Sequence, residues 1–88
     1  MKAQFRQWLV SRKYKEMTPS GKPSTVDDYV MRVEKVCEWE CMTWPNLAVD
    51  IERIIQEYSA GGIKAEKGNM SHKAVINALR RFKEFCSD

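Results

Sequence analysis

An all-α fold of one small domain follows from two observations on this chain of 88 residues. Apolar side chains recur at i, i+3 and i+4 in four separate stretches, and no stretch shows the strict alternation of a half-buried strand. Prolines and glycines fall between those stretches and not within them. Each stretch is therefore a helix with one apolar stripe, and the stripes must be buried against one another.

The first helix is expected over Lys2 to Arg12, where Phe5, Trp8 and Leu9 share a face. Thr18 to Pro23 contains two prolines and a glycine and reads as a loop. The second helix is expected to open at Ser24, whose hydroxyl can accept from free amides of the first turn, with Asp27 as the acid of a capping box. Its buried stripe is Val26, Tyr29, Val30, Val33 and Cys37, and it ends before Pro45. A third helix runs from about Asp50 to Ser59 on the stripe Ile51, Ile54, Ile55 and Tyr58, and Gly61 and Gly62 are expected to stop it. A polar loop from Ile63 to Met70 then leads to a fourth helix from Ser71 to Phe85. Its inner face is Val75, Ala78, Leu79, Phe82 and Cys86, and its outer face is Lys73, Asn77, Arg80 and Arg81.

Net charge is only +3, yet its distribution is uneven. Residues 1–24 hold six cations against Glu16, residues 25–60 hold three cations against eight acids, and residues 61–88 hold six cations against three acids. Such asymmetry fits an anionic partner at the two ends, and it also fits solvated helix faces. Apolar runs are too short for a membrane span or a signal peptide, so a cytoplasmic protein without a membrane partner is expected. Cys37, Cys41 and Cys86 are odd in number and read as reduced thiols. Zinc at Cys37 and Cys41, completed by Cys86 or His72, has poor spacing, so no metal and no cofactor is expected. The chain also lacks a phosphate-cradling glycine loop and a nucleophile set beside its one histidine, so no catalytic residue is assigned and no small-molecule substrate is expected.

Ser24, Thr25, Val26 and Tyr29 at the second helix, the following helix that ends at Tyr58, and Ser71 to Phe85 with Ala78-Leu79-Arg80-Arg81-Phe82 resemble the core-binding domain of tyrosine recombinases, the phage integrases. The resemblance spans Phe5 to Phe85. It implies a SAM-like bundle of four to five helices that packs against one side of duplex DNA, with the catalytic domain of that family absent from this chain. By position it implies DNA contacts from Lys22, Ser24 and Thr25 and from Ser71, His72, Lys73 and Asn77, with Arg80 and Arg81 adding phosphate contacts. Lys64 joins them as part of a basic loop. His72 and Lys73 also stand in the first turn of a helix, where free amides and the dipole attract anions. Asn77 has the chemistry to read a base edge.

A second reading starts from Met31, Trp39 and Met42, which fall off the valine stripe of the second helix. Exposed, they make an adaptable apolar patch among Asp28 and Glu38 that suits a protein partner, as in a free-standing adaptor or inhibitor. Covered by the first and third helices, they are core.

Overall fold

The computed structural model describes residues 1–12 and 25–87, and within them every side chain except those of Ser71 and His72. Helices α1 (Lys2–Ser11), α2 (Thr25–Glu40), α3 (Trp44–Val49), α4 (Ile51–Tyr58), α5 (Ala65–Gly68) and α6 (Met70–Ser87) follow in order. No strand forms among the described residues, so the fold is all-α. The expected loop at Thr18 to Pro23 and the expected cap at Ser24 lie outside the described residues.

Two short helices appear that periodicity does not predict, one between the expected second and third helices and one inside the expected loop. Thr43 starts α3: its hydroxyl oxygen accepts from the Asn46 amide at 3.3 Å, and Pro45 sits in the first turn, where a missing N–H costs nothing. Leu47 is the one α3 side chain to be fully buried. The single turn of α5 lies inside the segment Ile63 to Met70 and runs against the end of α4. Gly68 is required there, because a Cβ at that position would collide with the Tyr58 carbonyl.

α6 is the central element, packing chiefly on α2 and touching α1, α3, α4 and α5 as well. Its expected inner face is largely as read, with Val75, Ala78, Leu79 and Phe82 all buried, and Ile76 joins them. Phe82 meets Phe5 edge-on with ring centres 5.3 Å apart and Trp44 at 5.4 Å. Cys86 is exposed instead of buried. Phe85 takes the role expected of it, packing 5.5 Å from Phe5 and 5.9 Å from Trp8, because α1 closes over that side of the last turns. On α2, Val26, Val30, Val33 and Cys37 are buried as expected; Val36 is buried too, since α2 is covered on more than one side, while Tyr29 is only half-buried.

The end of α2 is a Schellman motif. The Met42 amide donates to the Cys37 carbonyl at 3.0 Å and the Cys41 amide to the Glu38 carbonyl at 3.2 Å, which places Cys41 in the left-handed region at φ 54°. Glycine favours that position, and a Cβ there is strained. At α4 the stop differs from expectation: Ser59 is already extended, and Gly61, at φ 84°, shapes the turn beyond it. Cys41→Gly is therefore expected to raise stability by about 1 kcal/mol. Thermal or urea unfolding checks this, and a variant no more stable than the parent would refute the strain.

Candidate nucleic-acid interface

With Phe82 and Leu79 turned inward, the geometry of a helix sends Arg80 outward, and Arg80 and Lys73 are exposed while Asn77 and Arg81 are half-buried. Pairing separates Lys73 and Arg80 from most of the other described cations. Lys2 pairs with Glu34, Arg6 with Asp27, Arg32 with Asp28 and Lys35 with Glu38. Arg53 pairs with Asp50 and Glu57, Arg81 with Glu84, and Lys83 with Glu52. Arg12 and Lys67 lie over the rings of Trp8 and Trp39. Lys73 and Arg80 make no ion pair among the described residues. Lys73 and Arg80 on the outer face of α6 thus carry positive charge that no carboxylate among the described residues pairs with.

The start of α6 is irregular. Lys73 has φ 66°, a left-handed conformation inside the first turn, and its amide donates to the Asn69 carbonyl at 3.1 Å. A left-handed residue costs about 1–2 kcal/mol without glycine and breaks the parallel array of amides on which a helix-end anion site depends. Attraction at this end accordingly comes from the Lys73 ammonium. Thr25 is exposed as the first residue of α2. Lys22, Ser24 and the side chains of Ser71 and His72 lie outside the described residues.

Lys64 has a different place from the one its loop suggested. Its ammonium donates to Glu40 Oε2 at 2.5 Å and lies 3.2 Å from Glu57 Oε1. The Tyr58 hydroxyl donates to the same Glu40 oxygen at 2.8 Å. Glu40 has a side chain only 9% exposed, and a carboxylate removed from water in this way requires a counter-ion. No local pattern signals this pairing, because Glu40 and Lys64 are 24 residues apart. Burial works against charge on Glu40, but the Lys64 and Tyr58 hydrogen bonds outweigh it and hold its carboxyl below the ordinary value of 4.5. Arg53, then Lys64, does the same for Glu57. Tyr58 is shifted upward, by burial first and by Glu40 next, so it stays a neutral donor.

Met31, Trp39 and Met42 differ in exposure. Met31 is 50% exposed. Trp39 is half-buried, stacked on Tyr58 at 6.4 Å with Lys67 above it. Met42 instead lines a hollow with Glu34, Cys37, Glu38, Cys41 and Trp44 among others, which neither Met31 nor Trp39 borders. Burial, with help from Glu34, pushes the Cys37 thiol up to about 11, so at neutral pH it is not the thiolate that binds metals. Among the described residues no three histidine, cysteine or acidic side chains gather as a metal site. No helix among them is long and apolar enough to cross a membrane.

Comparison with known proteins returns no match: no family model fits the chain, and no curated protein or solved structure aligns with it.

The Glu40 network carries a pH signature. A carboxylate held low in the folded state contributes stability that is complete above its unfolded value and is lost as pH falls through the folded one. The melting temperature is therefore expected to drop as pH falls below about 4.5. Glu40→Gln removes one such carboxylate and should lower the melting temperature at pH 7 and flatten the acid limb. Thermal melts between pH 6 and 3 check this. Parallel limbs for the two proteins would remove Glu40 from the account.

Proposed function

We propose that this chain is a non-catalytic module that binds duplex DNA through the phosphate backbone, using the outer face of α6. One observation carries the reading: among the described residues, Lys73 and Arg80 are exposed on that face without a carboxylate partner, while most other described cations are already neutralised within the fold. Phosphates are the anions that an array of this kind meets best, and each one bound releases counter-ions. Asn77 lies between the two cations in sequence and has the groups to read a base edge. Arg81 can add a contact by exchanging its pair with half-exposed Glu84, a surface pairing worth only about 0–1 kcal/mol. Lys64 is left out of the interface, because freeing it would strand Glu40. Thr25 at the start of α2 is a further contact candidate on the strength of the resemblance to recombinase core-binding domains, which points to the same class of partner.

The chemistry of the two described tyrosines supports a binding role over catalysis. Tyr58 is buried, hydrogen-bonded to Glu40 and harder to ionise than an ordinary phenol, which is the reverse of an activated nucleophile. Tyr29 is half-buried against the core.

Titration of a labelled duplex at several salt concentrations tests the proposal. Non-specific affinity of about 10⁻⁴ to 10⁻⁶ M is expected, falling steeply with salt. Lys73→Ala with Arg80→Ala should weaken binding to all sequences and lower the salt slope by about 2, whereas Asn77→Ala should alter the preference among sequences. Absence of binding at low salt by the folded parent chain would reject the DNA reading.

A further inference from the structure

Three sulfur-bearing side chains, Cys37, Cys41 and Met42, border one hollow at the end of α2. The Schellman motif gathers them. Cys37 and Met42 are its first and last members, joined by the 3.0 Å bond from the Met42 amide to the Cys37 carbonyl, and side chains at these two positions characteristically touch. Cys41 lies one turn beyond Cys37 and is exposed, whereas Cys37 is buried and Met42 half-buried. The three residues thus run from core to surface, and a ligand has a way in from solvent.

Cysteine also occupies the position of this turn where glycine would cost less. Cys41 has φ 54°, and a strained residue of this kind is an outlier from which a use of the side chain can be inferred. The carboxylates at the hollow are engaged, Glu34 with Lys2 at 2.8 Å and Glu38 with Lys35 at 3.4 Å, and the Thr43 hydroxyl caps α3. Sulfur is therefore the predominant donor. Two thiols and a thioether make a soft set, which suits Cu(I), whereas Zn(II) takes cysteine, histidine and carboxylate and has no use for the methionine.

We propose that this hollow is a binding site for one Cu(I) ion, held by the sulfurs of Cys37, Cys41 and Met42. The ion forms two copper–thiolate bonds and one copper–thioether bond, the protons of the two thiols pass to water, and no oxidation state changes. Burial pushes the Cys37 thiol up to about 11 in the metal-free fold, so the copper–sulfur bonds have to offset the loss of that proton. The spacing of the cysteines argues against zinc, and it is Met42, outside any zinc motif, that changes the metal. The site is independent of the DNA-binding reading, since no residue of the outer face of α6 borders this hollow.

Anaerobic titration of Cu(I) in competition with bicinchoninate, a chromophoric copper chelator, tests the site in the parent chain and in Cys41→Gly, Cys37→Ser, Met42→Leu and Cys86→Ser. The parent should take up one ion per chain. Cys41→Gly separates binding from folding, because it is expected to be more stable than the parent and yet to lose the metal. Its affinity should fall by more than the roughly 10- to 100-fold that a supporting partner of a ligand is worth. Cys37→Ser should fall likewise, Met42→Leu should weaken binding several-fold, and Cys86→Ser should bind as the parent does. Cu(I) should also raise the melting temperature of the parent and leave that of Cys41→Gly where it was. No uptake by the folded parent, or uptake that survives Cys41→Gly, would overturn the site. So would loss in Cys86→Ser, which would place the ion elsewhere. Unchanged affinity in Met42→Leu would overturn the three-sulfur set, and Zn(II) held by the same residues against Cu(I) would overturn the choice of metal.

Discussion

Phe82 meets Phe5 edge-on at 5.3 Å and Trp44 at 5.4 Å, and through these rings one side chain of α6 ties the first and third helices to the last. Edge-to-face pairs of this kind add about 0.5–1.5 kcal/mol to the burial of the rings themselves. Their larger consequence is rotational. A helix advances by about 100° per residue, so fixing Phe82 inward turns Arg80, two residues earlier, to roughly the opposite side. Leu79, Ala78 and Val75 are buried on the same inner face and allow no other azimuth. The outward display of Arg80 and Asn77 is therefore a result of core packing, and the cations need no contact of their own to hold it.

Charge pairing then decides which of the outward cations can act. A net charge of +3 is small. Spread evenly, it would hardly attract a polyanion. Glu34, Asp27, Asp28, Glu40 and Glu57 neutralise cations of α1, α2, α4 and the α4–α5 turn, and among the described residues Lys73 and Arg80 of α6 make no ion pair. The Glu40, Lys64 and Tyr58 cluster is the extreme case, because its carboxylate is shielded from water and holds Lys64 for the fold. A lysine in a glycine-bounded loop thus becomes structural through one acid 24 residues away.

The long helices were legible because each repeats its stripe over two turns or more. Val75, Leu79 and Phe82, and Ile51, Ile54 and Tyr58, are buried where periodicity puts them. α3 and α5 were not legible, since helices of six and four residues are too short for a period to show, and only the Thr43 and Pro45 pair signalled α3. Cys86 was misplaced because periodicity does not say where the partner surface ends. The candidate site was legible as a face of α6 but not as a set of available charges. Which of Lys64, Lys73, Arg80 and Arg81 is engaged depends on acids brought near by folding, apart from Glu84, whose i+3 spacing from Arg81 is local. The Arg12 and Trp8 contact is also local, four residues along α1 and its end, and an aromatic followed by a cation at that spacing is its signature.

Backbone amide chemical shifts of isotope-labelled protein, recorded as a duplex is added at low salt, test the central claim most directly. The account predicts that the largest changes cluster on the outer face of α6 around Lys73, Asn77 and Arg80, while the hollow at Cys41 and Met42 is silent. Changes confined to the acidic face of α2, or spread evenly over the fold, would contradict it.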